Sequence, residues 1–141
     1  VTNNPKCVIL HCAYTPDSLE SNFSVEDVRK WHLDRGFNDI GYHKYIDRSG
    51  FIQNGRDLSI VGAHCKAKGK NQDSIGICYE GKNFPSIPQV DSILNLYRTY
   101  RDIYQINYKL WFGHYEFDPE NKAACPGFDM EFMRSILRKV A

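Results

Sequence analysis

The chain has 141 residues, about one domain's length, and its 18 Lys+Arg against 17 Asp+Glu leave a formal charge of +1, a balance that argues against a nucleic-acid-binding surface. A hydrophobic content of 42% with 25% charged residues is globular, and a domain of this size buries enough surface to fold without disulfides or a structural metal. The longest apolar runs, such as Val8-Ile9-Leu10, fall far short of the ~20 residues of a membrane span, so no membrane insertion is expected. The start, with Asn3, Asn4, Pro5 and Lys6, does not read as a signal peptide. Five cysteines (Cys7, Cys12, Cys65, Cys78, Cys125), odd in number and irregular in spacing, suit a reducing compartment better than a disulfide framework.

In chain order, Lys6 to His11 reads as a short buried strand ending in a histidine. A first helix follows, with Ser24 as N-cap, Asp27 as the capping-box acid, Phe23 stapling onto Val28, and Gly36 as the stop. Gly41 to Asp47 and Phe51 to Asn54, joined by Arg48-Ser49-Gly50, form a hairpin pattern. A Gly-, Lys- and Asn-rich loop then runs from Gly62 to Asp73. Ser74 to Glu80 is a second buried strand, closed by Gly81. Ser86 and Gln89 make a capping box ahead of Val90, Ile93, Leu94, Tyr97, Tyr100 and Tyr104, which recur at helical spacing. Tyr108 to Phe112 reads as a strand ending at Gly113-His114. An irregular loop leads to Gly127, and Asp129 caps a last helix with Phe132, Met133, Ile136, Leu137 and Val140 facing inward. Strands interleaved with helices imply an α/β fold. Residues 1–141 are expected to form a single domain with a central mixed β-sheet flanked by helices.

His11 and His114 share one placement, each at the end of an apolar strand-like run, where ligands bind in open α/β sheets. If the two strands are neighbours, the imidazoles converge. Cys125, held by the Pro126-Gly127 turn, supplies a possible third ligand. Three protein ligands with an open fourth position are the pattern of catalytic zinc, whereas structural sites close with four. Taken singly, each histidine also fits a partly buried residue bonded to a backbone carbonyl, and the cysteine a free buried thiol.

These residues fall within ordered blocks: Ile9-Leu10-His11-Cys12, Trp31-His32 through Gly36-Phe37, Asp39-Ile40-Gly41-Tyr42-His43, Gly55-Arg56-Asp57, Val61-Gly62-Ala63-His64, Asn71 with Ser74-Ile75-Gly76-Ile77, and Gly113-His114 with Ala124-Cys125-Pro126-Gly127-Phe128-Asp129. Over nearly the whole chain their order resembles the zinc-dependent N-acetylmuramoyl-L-alanine amidases. Within that family, which also contains the animal peptidoglycan recognition proteins, the likeness is to the bacteriophage lysozyme-type enzymes. The resemblance implies one zinc per chain on His11, His114 and Cys125, a catalytic role for Tyr42, and bacterial peptidoglycan as the partner. It also implies synthesis in the cytoplasm of an infected bacterial host and action on the cell wall. A monomer is expected.

The phage-type pattern has a catalytic lysine two residues before the cysteine, where this chain has Ala123, with Lys122 one residue earlier. Either Lys122 reaches the same place along a changed loop path or the enzyme works without it, and the one-residue shift favours a lysine turned to solvent. His64 resembles a family position near the substrate groove, and as a loop histidine it could equally face solvent. By strand alternation His43 points away from Tyr42 and is structural. His32 is expected at a surface or edge contact, and Glu116 or Asp118 could accept from a ligand imidazole. The implied activity is hydrolysis of the amide between the lactyl group of N-acetylmuramic acid and L-alanine. The competing reading is a non-catalytic peptidoglycan-binding module, and because binding-only members typically lack the cysteine ligand, Cys125 favours the enzyme.

Overall fold

A computed structural model describes residues 2–18, 20 and 22–141. Its centre is a five-stranded mixed sheet in the order β3-β2-β4-β1-β5, formed by β1 (Cys7–Cys12), β2 (Lys44–Ile46), β3 (Ile52–Asn54), β4 (Ser74–Tyr79) and β5 (Trp111–Gly113). Only the β2–β3 hairpin is antiparallel; β1 runs parallel to both β4 and β5, and β2 runs parallel to β4. β1 and β4 are buried along their whole length, as strands covered on both faces must be, which is why they read as continuous apolar runs.

Alternation along β1 divides the core. Val8, Leu10 and Cys12 face the layer made by α2 (Ile87–Tyr104) and α3 (Met130–Arg138), while Cys7 and Ile9 pack on the other side with Cys65 and Phe112. On that second side α1 (Val25–Asp34) buries Val25 and Val28 against Tyr45 and Cys78. The five cysteines are unpaired.

Local chemistry starts each helix as the sequence predicts. Ser24 and Asp27 form a reciprocal capping box, and so do Ser86 and Gln89. Gln89 is fully buried, and its amide also donates to the Glu80 and Ile46 carbonyls, which pins the start of α2 to the sheet. In the hairpin turn the Asp47 carboxylate accepts from the N–H groups of Ser49 and Phe51. Phe23 lies against Trp31, one turn beyond the expected Val28.

Two expectations need correcting. The strand over Tyr108 to Phe112 starts three residues late, because the Asn107 side chain accepts from the Lys109 N–H and folds 108–110 into a 3₁₀ turn before β5 begins. In α3, Met130 takes an inward position, while Phe132 is 56% exposed and rests on Phe84 instead of entering the core.

His32 departs furthest from its predicted surface placement. It is buried, its Nδ1 accepts from the Gly41 N–H at 2.8 Å, and its ring packs on Phe37 and Tyr42. Burial, aided by Arg35 and Arg56, pushes its pKa down to about 4. An unfolded histidine titrates near ~6.5, so between the two values the unfolded chain binds the extra proton. The contribution of His32 is therefore complete above about pH 6.5 and is lost as the pH falls towards 4. From the size of the shift it amounts to at most about 3 kcal/mol. Urea unfolding between pH 7 and 4 checks this: His32→Asn should show a shallower loss of stability with acid than the parent, and an unchanged slope would show that His32 does not titrate as described.

Candidate metal centre

The register of the central strands builds the site. Leu10 pairs with Gly113 in the parallel β1–β5 ladder, so His11 and His114, each one residue further on, emerge side by side at the carboxyl ends of adjacent strands. Their ring centroids are 4.6 Å apart, and both residues are buried. Cys125 arrives from the following loop, which is tied back by the Tyr115 N–H donating to the Cys125 carbonyl at 2.8 Å. Nδ1 and Nε2 of the histidines and Sγ of Cys125 supply ligand atoms that lie within 4.8 Å of one another. His11 Nδ1 is 3.6 Å from Cys125 Sγ. A tetrahedral zinc, with Zn–S about 2.3 Å and Zn–N about 2.0–2.1 Å, spans roughly 3.5 Å between such ligands, so the spacing and donor set fit that ion.

The electrostatics also suit a cation. Burial and the neighbouring His64, His114 and Lys122 hold His11 well below the ordinary imidazole range, and burial and Lys122 push His114 down to about 4. Both rings are therefore neutral at physiological pH, as metal ligation requires. The Cys125 thiol is pushed up by its hydrogen bond with Cys12 and by burial. A coordinated divalent cation reverses that preference, since a ligating thiol gives up its proton.

The cluster opens onto a groove of about 1000 Å³ lined by Tyr42, His64, His114, Lys122 and Cys125, among others. Tyr42 sits in the turn before β2, with its ring 5.0 Å from that of His11. Burial, with Cys78, Cys125 and Cys12 nearby, holds its hydroxyl well above the usual phenol range. Lys122 is exposed, as the one-residue shift suggests, and it also lines this groove, where its charge lowers the pKa of both His114 and His11. Ala123 lines a separate, adjoining cavity. Arg35, Lys66 and Lys122 outnumber Asp118 among the charged groups of the groove.

His64 borders the groove, but both of its nitrogens are engaged inside the protein, by His11 at 2.8 Å and by Ser74 at 3.1 Å. Both nitrogens are thus held by protein partners, while the residue lines the groove as the resemblance implies. Glu116 likewise does not serve a ligand imidazole: its carboxylate accepts from the Gly113 N–H and pairs with Arg134 at 2.8 and 2.9 Å. Asp118 lines the groove and raises His114 slightly against the dominant effects. His43 is buried with Nδ1 accepting from the Gly76 N–H and Nε2 on the Ile60 carbonyl. Ser74 and Asn71 fall within the ordered blocks, but sequence reasoning assigns them no role: the Asn71 side-chain oxygen accepts from the N–H groups of both His64 and Cys65 at 2.8 Å.

A His, His and Cys cluster at the ends of parallel strands, inside an open groove, is an arrangement suited to a metal-dependent hydrolase. The chain belongs to the N-acetylmuramoyl-L-alanine amidase family, which it matches over residues 1–128. It is 35% identical over 133 residues to the endolysin of Escherichia phage T7, covering 88% of this chain and 82% of the relative. Among solved structures, N-acetylmuramoyl-L-alanine amidase LysC from Clostridium intestinale URNW superposes with a TM-score of 0.79 at 29% identity, over 96% of this chain and 86% of that one. Wild-type Drosophila PGRP-LB superposes with a TM-score of 0.71 at 29% identity, over 89% and 79%.

The site makes a direct prediction. Elemental analysis of purified protein should find one zinc per chain, and Cys125→Ser or His114→Ala should reduce it well below that. Full zinc retention in both variants would show that the metal sits elsewhere.

Proposed function

We propose that this protein is a zinc-dependent hydrolase of bacterial peptidoglycan that cleaves the amide between the lactyl group of N-acetylmuramic acid and L-alanine. The observation that carries the reading is the His11, His114 and Cys125 cluster opening onto a groove of about 1000 Å³. Family membership and the similarity to a phage endolysin and to LysC support it. The surplus of Arg35, Lys66 and Lys122 along the groove suits a stem peptide bearing carboxylates.

An amide carbonyl is a poor electrophile, and a zinc ion held by His11, His114 and Cys125 would supply Lewis acidity and activate a water for attack at neutral pH. The protein's own groups do the rest. Tyr42, held protonated by burial, can donate to the carbonyl oxygen as that oxygen becomes negative. Lys122, which also lines the groove, adds positive charge there. The lytic action falls on the cell wall after synthesis in the cytoplasm of the host, and since one chain builds the whole groove, a monomer suffices.

Mass spectrometry of digested peptidoglycan tests the reaction: free stem peptides beginning with L-alanine and intact glycan strands are expected. Binding without cleavage by zinc-loaded protein would favour the recognition reading instead. Tyr42→Phe should keep its zinc and lose about 10²–10³ in turnover, the usual cost of an oxyanion donor. Lys122→Ala should also keep zinc, with a smaller loss of roughly tenfold, as expected for a charge acting from the groove edge. Full activity in either variant would remove that residue from the mechanism.

A further inference from the structure

His11 Nδ1 can meet a cation only if the proton of its neutral ring sits on Nε2. In an isolated imidazole either nitrogen carries the proton, and which one does so in a protein is set by the hydrogen bond the other nitrogen makes. Here a chain of bonds runs inward from that nitrogen. His11 Nε2 lies 2.8 Å from His64 Nδ1, His64 Nε2 lies 3.1 Å from Ser74 Oγ, and Ser74 Oγ lies 2.5 Å from the Lys70 carbonyl oxygen.

The last member fixes the direction of all the others. A carbonyl oxygen can only accept, so the single hydroxyl proton of Ser74 goes to Lys70. Ser74 Oγ must then accept, and His64 donates to it from Nε2–H. A neutral His64 protonated on Nε2 presents a bare Nδ1, which can only accept from His11 Nε2–H. His11 Nδ1 is left with its lone pair towards the cluster, where the Cys125 thiol lies at 3.6 Å, close enough to donate to it.

Sequence and packing hold the relay in place. His64 and Ser74 are both buried, which limits competition from water for these links. Asn71 fixes the backbone on either side of the His64–Cys65 bond. The ring of His64 occupies space that a side chain would need at two glycines: a Cβ on Gly76 would lie 2.5 Å from its Cγ and Cδ2, and one on Gly62 would lie 2.7 Å from Cδ2. The Gly62 to His64 and Ser74 to Gly76 segments thus form a seat for one imidazole.

We propose that His64 and Ser74 are positioning residues which, anchored on the Lys70 carbonyl, lock the proton of His11 on Nε2 and keep Nδ1 available to the metal. Neither residue belongs to the His11, His114 and Cys125 cluster; both act on it through His11. The proposal rests on the zinc reading above for its consequence, but the placement of the proton can be measured without any metal.

The experiment has two arms. Long-range ¹H–¹⁵N correlation spectra of the metal-free wild-type protein should show His11 and His64 both protonated on Nε2. A His11 protonated on Nδ1 overturns the proposal. In the second arm, zinc affinity is measured by competition with a chelating dye on variants whose thermal unfolding shows them folded. Ser74→Ala, two bonds removed from the metal, should weaken zinc binding about tenfold and His64→Leu by 10–100-fold, the range typical of lost outer partners of a ligand. His64→Gln, whose amide oxygen can still accept from His11, should recover most of the affinity. Wild-type affinity in both Ser74→Ala and His64→Leu overturns the relay and leaves the zinc reading standing, whereas a folded wild-type protein that takes up no zinc defeats the zinc reading alone. If a variant does not fold, the wild-type spectrum decides.

Discussion

The parallel pairing of β1 with β5 is the constraint on which the site depends. Its register sets Leu10 opposite Gly113 and brings the two histidines that follow onto one level. A slip of one residue would turn one imidazole to the opposite face of the sheet. The same strand, through β4 on its other side, places Ser74 and Cys78 beneath the cluster, since Cys7 pairs with Ser74 and His11 with Cys78. One central strand therefore carries one histidine of the candidate metal cluster and aligns both the second histidine and the His64–Ser74 hydrogen-bond chain. β1 is buried on both faces, so a slip would also disturb the packing of Ile9 and Leu10 in their separate layers.

The features legible in the sequence are those encoded by neighbours. Capping boxes at Ser24 and Ser86 need only residues three apart, and the strands at Cys7–Cys12 and Ser74–Tyr79 need only a short apolar run. The three ligand candidates were legible for a similar reason: two stand at strand ends and the third sits beside a proline-glycine turn. What escaped depends on contacts between distant segments. His32 looks like a helix-surface residue until the Gly41 N–H arrives to bond it. Glu116 looks available to His114 until Arg134, 18 residues on, takes its carboxylate.

His64 is the clearest instance. Its sequence context, a glycine-rich loop, gives no hint that both nitrogens are spoken for, because one partner lies 53 residues away on β1 and the other begins β4. Only the adjacency of β1 and β4 in the sheet joins them. Ser74 was equally silent, since a serine that opens a strand most often caps or faces water. The Lys122 position shows the converse limit, because the path of an irregular loop is set by how Cys125 and Tyr115 tie it down and not by spacing alone.

The Arg134 and Glu116 pair has a mechanical consequence. Glu116 accepts from the Gly113 N–H, and Arg134 also donates to the Trp111 carbonyl, so one guanidinium on α3 grips both ends of the strand that precedes His114. The last helix is thereby a brace for half of the candidate metal cluster, although none of its residues belongs to that cluster. A fusion partner, tag or wall-binding module grafted directly onto α3 would load that brace. A flexible spacer after Arg138 would let the catalytic face keep its shape while the attachment is pulled.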